Sequence, residues 1–271
     1  RGFNSSAADK LQVLLDGRSL YSPLFAGGFW DVVDTALVDV DRIEIVRGPG
    51  ATLWGANAVN GVINIVTRSA HDSLGTVVVA ETGTERNSAT LRSGQAIDLG
   101  QESAIRFFAK AVERDAGKTM DGHTAADGQR FTMAGLRADT TLLSGDQWTI
   151  TSNLYSTDID QAGAPDDETI KETADGADLT LSYLHAFGTD EDAPVLDMSI
   201  SYTGYRRTIP DVYQEKRDTY DAQVQYSALW PRHQLTVGAG YRYSRDDTGG
   251  APLAVIFVPA DRTIEQPSVF V

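Results

Sequence analysis

Residues 40–68 read VDRIEIVRGPGATLWGANAVNGVINIVTR, and this stretch decides how the whole chain is interpreted. Polar and apolar residues alternate over 41–46, which predicts a strand with one buried face. The strand ends at the Gly-Pro-Gly sequence 48–50, which suits a type II turn. A short helical turn is expected over 52–59. Residues 60–67 begin with Asn-Gly and turn back into a second strand, so the stretch predicts part of a small mixed α/β unit.

The chain before this stretch is equally rich in turn signals. Residues 11–15 form a short apolar run, and an Asp-Gly pair at 16–17 separates it from residues 18–21. Asp and Gly both tolerate positive φ, so this pair predicts a hairpin turn.

From residue 74 onward, the sequence changes to a series of alternating segments. At about 10–14 residues they exceed the usual globular strand of about 5–6 and match the roughly 9–11 that a tilted strand needs to cross a bilayer. Aromatic residues near segment ends suggest interfacial girdles; they are Tyr155, Tyr205, Tyr220, Trp230 and Tyr243. Alternation alone also fits a soluble β-sandwich or an up-and-down barrel. The predicted strands are 74–83, 86–97, 103–114, 129–142, 147–158, 177–188, 194–206, 217–230, 233–245 and 264–271, with 253–258 as a further candidate.

Composition narrows the class of protein. The 271-residue chain has 23 Lys+Arg against 38 Asp+Glu, a net charge of −15, which argues against sequence-independent nucleic-acid binding. It has no cysteine, which excludes disulfides, thiolate metal sites and cysteine nucleophiles. No apolar run approaches the roughly 18 residues of a membrane-spanning helix. The strands of a membrane barrel alternate and never make such a run, so a barrel remains possible.

The stretch 40–68 resembles the plug-domain signature of TonB-dependent outer-membrane receptors. Residues 1–4, which read RGFN, and 15–18, which read LDGR, match the earlier part of the same pattern at the expected distance. The match covers the first quarter of the chain, and the alternating strands that follow it are what this family predicts.

The resemblance implies a small mixed α/β plug domain over 1–72, followed by antiparallel transmembrane β-barrel strands over 73–271. Plugged barrels of this class have about 22 strands, whereas residues 73–271 hold about 10 or 11 at roughly 10 residues each plus loops. Open sheet edges do not persist in lipid, so we expect an incomplete barrel whose other strands lie beyond Val271. The front of the plug, with the segment that contacts TonB, is expected before Arg1.

The resemblance also implies TonB-driven uptake of a scarce nutrient across the outer membrane of a Gram-negative bacterium. Residues 54–57, which read WGAN, are similar to ferric-siderophore receptors, so a metal chelate is the expected ligand. Cobalamin, haem, nickel and sugars remain open, as do a signalling or adhesin role and a soluble β-rich binding module. Because no Ser-His-Asp order, phosphate loop or His-rich metal motif is evident, neither an enzyme nor a resident cofactor or metal is expected.

Residues 21–31 match the apical loop region of the family and contain four aromatic rings and two glycines. Such rings can stack on a flat or apolar ligand. They can equally pack the plug or fill the gap between plug and barrel, which suits Phe29 and Trp30 better than Tyr21 and Phe25. The candidate substrate-binding residues are Tyr21, Ser22, Phe25, Phe29 and Trp30.

Arg42, Glu44, Arg47 and Arg68 form the charged part of the signature and are the candidate plug–barrel contacts. They would form ion pairs with acidic groups on the barrel wall, or else be solvated strand ends. Such pairs in a water-filled lumen are worth about 0–1 kcal/mol each, which suits a plug that must move.

Eight carboxylates lie within residues 158–178, between two long predicted strands. Long loops of such barrels are extracellular, so this stretch is predicted to be an outer loop, as are 115–128 and 206–216. Clustered carboxylates can bind Ca²⁺ or a cationic substrate. No EF-hand spacing is present, and a solvated loop is the simpler interpretation.

Overall fold

Two β-sheets make up the protein. The structure is a computed structural model that describes residues 10–24, 27–50, 54, 58–99, 102–162, 169–190, 192–249 and 255–271. The first sheet and its connections, residues 10–73, are called the plug unit below. Its elements are β1 (Leu11–Leu15), β2 (Arg18–Ser19), the 3-10 helix η1 (Leu37–Asp39), β3 (Val40–Arg47), β4 (Gly61–Thr67) and the 3-10 helix η2 (His71–Ser73).

The plug unit has a mixed sheet in the order β2-β1-β4-β3. The predicted hairpin at 16–17 is present: Asp16 and Gly17 have φ values of 49° and 81°, and β1 and β2 pair antiparallel on either side of them. The predicted pair over 41–46 and 62–67 is also present, as β3 antiparallel to β4, while β1 runs parallel to β4. Most of the predicted helical turn over 52–59 lies outside the described residues.

The second sheet has ten antiparallel strands that follow one another in chain order. All ten segments predicted from alternation form strands, and β10 pairs with both of its neighbours over nearly its full length. The first and last strands are the two edges of the sheet, so the barrel is incomplete, as expected. The strands are β5 (Gly75–Thr82), β6 (Arg86–Ala96), β7 (Glu102–Arg114), β8 (Gln129–Thr141), β9 (Gln147–Ala162), β10 (Thr169–Ala186), β11 (Val195–Ile209), β12 (Tyr213–Trp230), β13 (His233–Asp247) and β14 (Asp261–Phe270).

The prediction of outer loops over 158–178 and 206–216 was wrong. Strand β9 continues to Ala162 and β10 begins at Thr169, while β11 and β12 are separated by only three residues. Cross-strand hydrogen bonds extend these strands where composition alone suggested coil, since charged residues are tolerated on a face that avoids lipid. Residues 163–168 lie outside the described part. Over 253–258, the described residues 255–258 form no strand.

The longest connections, 115–128 and 248–260, lie at the same end of the sheet. We call this the loop end, and the opposite end, with the short connections 142–146 and 231–232, the turn end. In the described residues the connection 115–128 forms a loop that is closed by a bridge between Lys118 and Thr124.

One face of the ten-stranded sheet, the inner face, packs against the plug unit, and the other is its outer face. Along β12 the predicted alternation holds, with Tyr220 and Val224 outward and Arg217 and Asp221 inward. Tyrosine rings on the outer face contact one another in a tilted arrangement from strand to strand toward the loop end: the Tyr202–Tyr220 and Tyr220–Tyr243 centroids are 5.2 and 6.4 Å apart. A second aromatic belt lies near the turn end and contains Trp148, Tyr183, Phe187 and Tyr226.

Exposed apolar side chains fill the outer face between the two belts, among them Leu179, Ile200 and Val224. An apolar band between aromatic girdles is the pattern expected of a lipid-facing barrel wall. Two of the predicted girdle residues were wrongly assigned, because Tyr155 and Tyr205 face inward and pack on Phe131 and Phe29.

Apolar packing between plug unit and sheet is limited to a small cluster. Ala36 of the plug unit is fully buried against Phe108, Phe131 and Met133 on the inner face of β7 and β8. Most of the remaining inner face is polar. In the part of the chain that the structure describes, no helix is both long and apolar enough to cross a membrane.

Candidate functional site

Asp39 anchors the plug unit to the first strands of the sheet. Its carboxylate, at the end of η1, is 1% exposed and lies 3.3 Å from Nε of Arg92 on β6 and 3.3 Å from Nε of Arg106 on β7. Arg106 also donates a hydrogen bond of 2.6 Å to the carbonyl of Arg68. Buried charges are costly unless they are paired, so this cluster fixes the plug unit in one orientation.

A second anchor lies where the chain leaves the plug unit for the sheet. Asp139 of β8 accepts hydrogen bonds from Arg137 Nε at 2.8 Å, from Thr149 Oγ1 at 2.7 Å and from the backbone N–H of Ala70 at 2.7 Å. Arg137 also lies 3.8 Å from a carboxylate oxygen of Asp16 in the β1–β2 turn.

The segment 21–31 is attached to the sheet through Asp31 and Phe29. Arg207 of β11 places Nη2 2.9 Å from the carboxylate of Asp31 and its guanidinium 4.5 Å from the ring centroid of Phe29. Phe29 also stacks on Tyr205, with centroids 5.8 Å apart. Glu172 of β10, fully buried, pairs with the same guanidinium. One arginine therefore links the segment to two barrel strands.

Two further contacts also attach the plug unit to the sheet. Nζ of Lys110 on β7 lies 2.7 Å from each carboxylate oxygen of Asp34. At the beginning of the segment, the Ser22 hydroxyl accepts a hydrogen bond from Arg217 of β12.

A cavity of about 120 Å³ lies beneath segment 21–31, between the plug unit and the sheet. We call it the loop-side cavity. Its walls combine aromatic rings, including Tyr21, Phe29, Tyr155 and Tyr205, with hydroxyl groups of the inner face. Aromatic surface with a few polar groups is typical of the lining of small-molecule sites, whereas the volume is below the about 300–1,000 Å³ of such sites, so the cavity can form only one wall of a site for a large ligand.

Charge in this cavity is balanced. Its three arginines are Arg18, Arg217 and Arg242, and its three aspartates are Asp34, Asp178 and Asp221. Each arginine is paired: Arg18 with Asp178 at 2.6 Å, Arg242 with Asp221 at 2.8 Å, and Arg217 with Glu215 at 2.6 Å and with Asp246. The cavity therefore presents hydrogen-bonding groups and aromatic surface, without a surplus of positive charge.

The structure brings together three of the predicted substrate-binding residues. Tyr21, Ser22 and Phe29 line the loop-side cavity. Trp30 is 49% exposed and is not among the residues that line it. Phe25 lies outside the described residues.

The predicted plug–barrel contacts lie on the other side of the plug unit. Arg42, Glu44 and Arg47 belong to β3, the edge strand whose residues are mostly exposed. Arg42 donates to Glu44 at 2.7 Å, and Asn64 donates to the same carboxylate at 2.9 Å. These hydrogen bonds lower the pKa of Glu44. Arg68 contacts the sheet through its backbone carbonyl.

The side chains that hold the plug unit in the described part of the barrel were not predicted from the sequence. Most are carboxylates of the plug unit and basic residues of the sheet, the reverse of the predicted charge arrangement; Asp139 of the sheet and the Arg18–Asp178 pair are exceptions. One signal was available, since arginine at alternate strand positions of a membrane barrel must face away from lipid. The missed residues are Asp31, Asp34, Asp39, Arg92, Arg106, Lys110, Arg137, Asp139, Arg207 and Arg217.

The acidic stretch 158–178 is divided by strand formation. Glu172 and Asp178 point inward to Arg207 and Arg18. Across the residues that the structure describes, no group of three or more His, Asp or Glu side chains is arranged to hold a metal ion.

Comparison with known proteins identifies the family. Residues 1–62 match the family model of the TonB-dependent Receptor Plug Domain. Residues 1–62 of the chain belong to the plug-domain family of TonB-dependent receptors. The resemblance seen in residues 40–68 is thereby confirmed, and the fold, a plug followed by strands of an outer-membrane barrel, agrees with it. The receptor is accordingly an outer-membrane protein of a Gram-negative bacterium.

Curated relatives of the receptor include the vitamin B12 transporter BtuB of Vibrio cholerae serotype O1. It is 33% identical over 155 residues, which are 55% of this chain and 24% of that protein. The iron-regulated outer membrane virulence protein of Vibrio cholerae serotype O1 is 35% identical over 77 residues, 28% of this chain and 10% of that protein. The part of the chain that matches the BtuB relative therefore spans about a quarter of the length of that protein.

Solved structures share the fold at low sequence identity. The copper transporter OprC aligns with a TM-score of 0.68 and 16% identity, covering 88% of this chain and 38% of that one. The ferric citrate transporter FecA aligns with a TM-score of 0.64 and 18% identity, covering 92% of this chain and 40% of that one. These likenesses concern the architecture alone.

Proposed function

We propose that the receptor imports a metal chelate across the outer membrane, with TonB supplying the energy from the periplasmic side. The observation that carries the proposal is the loop-side cavity, which lies between a plug unit held by a few ion pairs and the inner wall of a membrane barrel. A transporter needs a site that is reachable from the loop end and a plug that can be displaced. We also propose that the plug ends near residue 72, in the connection between β4 and β5.

The charge balance of the cavity supports a chelate without a large net negative charge. An anionic ferric chelate would require unpaired cations, whereas Arg18, Arg217 and Arg242 already have carboxylate partners. A corrinoid such as cobalamin offers a broad apolar ring and many amide groups, which match aromatic walls with hydroxyl groups between them. The BtuB relative is named as a vitamin B12 transporter, which supports the same substrate class.

The ferric siderophore predicted from the sequence is the second candidate. It is supported by the iron-regulated relative and requires a neutral or weakly charged chelate to suit this cavity. In both cases Tyr21, Ser22 and Phe29 are the proposed ligand contacts of the plug, whereas Phe25 and Trp30 remain predictions from the sequence. Arg42, Glu44, Arg47 and Arg68 remain proposed contacts to barrel strands other than β5 to β14.

Uptake by intact cells tests the proposal. Cells that lack their own outer-membrane receptors for both ligands would produce the receptor and be given radiolabelled cyanocobalamin or a ⁵⁵Fe-loaded neutral hydroxamate siderophore, with and without TonB. We expect TonB-dependent accumulation of cyanocobalamin, and weaker binding when Tyr21 is replaced by alanine. Accumulation of the siderophore alone would assign the receptor to the second class. Accumulation of neither, in cells where the receptor is folded in the outer membrane, would refute import of both.

A further inference from the structure

A second cavity lies directly below the loop-side cavity on the same barrel wall. It measures about 200 Å³, and we call it the turn-side cavity because its inner-face residues lie toward the turn ends of β10, β11 and β12. The β1–β2 turn of the plug unit, Asp16 and Gly17, forms its other side. The two cavities thus follow one another from the loop end to the turn end.

A single side chain of the plug unit separates them. Arg18 lines both cavities, together with Ser201 and Asp221 of the wall. Its guanidinium lies 2.6 Å from the carboxylate of Asp178 and donates a hydrogen bond of 3.2 Å to the hydroxyl of Thr203. Both charged side chains are largely buried, at 12% and 7% exposure. The ion pair therefore bridges the gap between the plug unit and the barrel wall.

The strand that carries Arg18 is the shortest of the plug sheet. β2 contains two residues, forms the edge of the sheet and pairs with β1 at Leu14–Ser19 and Leu15–Arg18, beside a hydrogen bond from the N–H of Leu20 to the carbonyl of Val13. The opposite side of the plug unit is held by the buried clusters around Asp39 and Asp139. Local opening favours segments with few buried contacts, so β2 should move before the anchored side does.

The turn-side cavity has the chemistry of a passage and not of a tight site. Its wall presents mostly hydroxyl and amide side chains, including Thr180, Ser199 and Gln223, beside the carboxylates of Asp197 and Asp221. Short neutral hydrogen-bonding groups replace water around a polar ligand without holding it strongly. Such a surface suits the amide- or hydroxamate-rich periphery of a chelate.

We propose that the ligand passes the plug along the β10–β13 wall, and that the Arg18–Asp178 ion pair is the gate between the loop-side and turn-side cavities. This inference rests on the proposed transport function. It assigns Arg18 to gating, so that ligand capture in the loop-side cavity and passage below it are separate steps. Displacement of β2 alone would join the two cavities while the rest of the plug stays anchored.

Cysteine cross-linking tests the gate, because the chain contains no native cysteine. The receptor would carry Arg18→Cys with Asp178→Cys, tied by a bifunctional methanethiosulfonate reagent long enough to replace both side chains. The control carries Asp39→Cys with Arg106→Cys and the same reagent, which ties the plug to β7 away from both cavities. Each variant is compared with itself before cross-linking and after reduction, so damage from the substitutions cancels.

We expect the first cross-link to abolish uptake and be reversed by reductant, while the control cross-link leaves uptake as it was. Unimpaired uptake through the first cross-link would overturn the gate. Equal loss with both cross-links would also overturn it, because the whole plug would then have to move.

Thiol labelling gives a readout that does not depend on transport. Ser199→Cys, in the turn-side cavity, would be exposed in intact cells to a thiol reagent too large for porins. We expect labelling when Arg18 is replaced by alanine, and little labelling with native Arg18 or with Arg18→Lys, which keeps the ion pair to Asp178. Equal labelling in all three would refute the separation of the two cavities by Arg18. Failure of the unmodified receptor to import any ligand would refute the proposed function, while the labelling result would still show whether Arg18 separates the two cavities.

Discussion

Replacing Asp139 by alanine should loosen the plug at its exit from the sheet. The carboxylate is 11% exposed and accepts four hydrogen bonds: from Arg137 Nε and Nη2 at 2.8 and 3.0 Å, from Thr149 Oγ1 at 2.7 Å, and from the N–H of Ala70 at 2.7 Å. Alanine offers no acceptor at this position. A buried N–H and a hydroxyl therefore lose this partner in one substitution, and the guanidinium of Arg137 keeps only its contacts with Asp16 and Thr67.

The size of the effect follows from what is left unpaired. Arg137 is 15% exposed, and breaking a buried ion pair by removing one partner costs about 3–5 kcal/mol. Ala70 is fully buried, and an unsatisfied buried N–H costs about 1–3 kcal/mol. The two losses share one carboxylate and overlap, so we expect destabilisation of about 4 kcal/mol. Asp139→Asn keeps an acceptor for the N–H and should cost less.

Equilibrium unfolding in urea measures this loss, with the receptor in detergent micelles and the plug followed by limited proteolysis. Glu113→Ala is the matched control, because Glu113 also pairs with an arginine across β7 and β8, Arg130 at 2.9 Å, but at 53% and 70% exposure. Such an exposed pair is worth about 0–1 kcal/mol. If the free energies of unfolding of the Asp139→Ala and Glu113→Ala variants lie within about 1 kcal/mol of each other, burial does not strengthen the plug anchor.

Three smaller predictions address other parts of the receptor. Gly94→Ala should lower the unfolding midpoint, because a Cβ there would lie 2.1 Å from the carbonyl oxygen of Ser73; an unchanged midpoint would show that η2 shifts freely. The pKa of Glu44 is lowered in the fold, so the stability it contributes is present at neutral pH and lost as the pH falls below about 4.5; Glu44→Gln should flatten an acid unfolding curve there. Phe29→Leu should weaken ligand binding measured on whole cells more than Trp30→Leu does, because the Trp30 ring is half-exposed and does not line the cavity.

The strands of the barrel could be predicted because their signal is local. In β12, alternate residues lie on the outer and the inner face, so the pattern can be recognised within a single segment of sequence. Strand ends near the loop end were misjudged for the same reason. Residues 158–162 and 169–176 read as an acidic loop, yet they pair across β9 and β10, and only knowledge of the neighbouring strand reveals that.

The plug anchors could not be predicted, since each joins residues far apart in the chain. Asp31 meets Arg207 across 176 positions, and Asp34 meets Lys110 across 76. The charged residues of the plug signature drew the prediction to β3, whose arginines are prominent in sequence. The inner-face arginines were visible as charges on alternating strands, but their partners depend on how the plug is rotated inside the barrel. The residue pattern of the sequence does not specify this rotation.

The distribution of these anchors has a mechanical consequence for the plug. Near β6 to β8 it is tied by the Asp39 and Asp139 clusters, which combine charge pairing with backbone hydrogen bonds. Near β10 and β11 the side of the plug below segment 21–31 relies on Arg18 and a two-residue strand. A pulling force that is transmitted through the plug sheet would load both sides, and the side with fewer buried partners would yield first. With the proposed transport function, opening on the β10–β13 wall would leave the attachment at η2 intact, so the plug could return after each transport event.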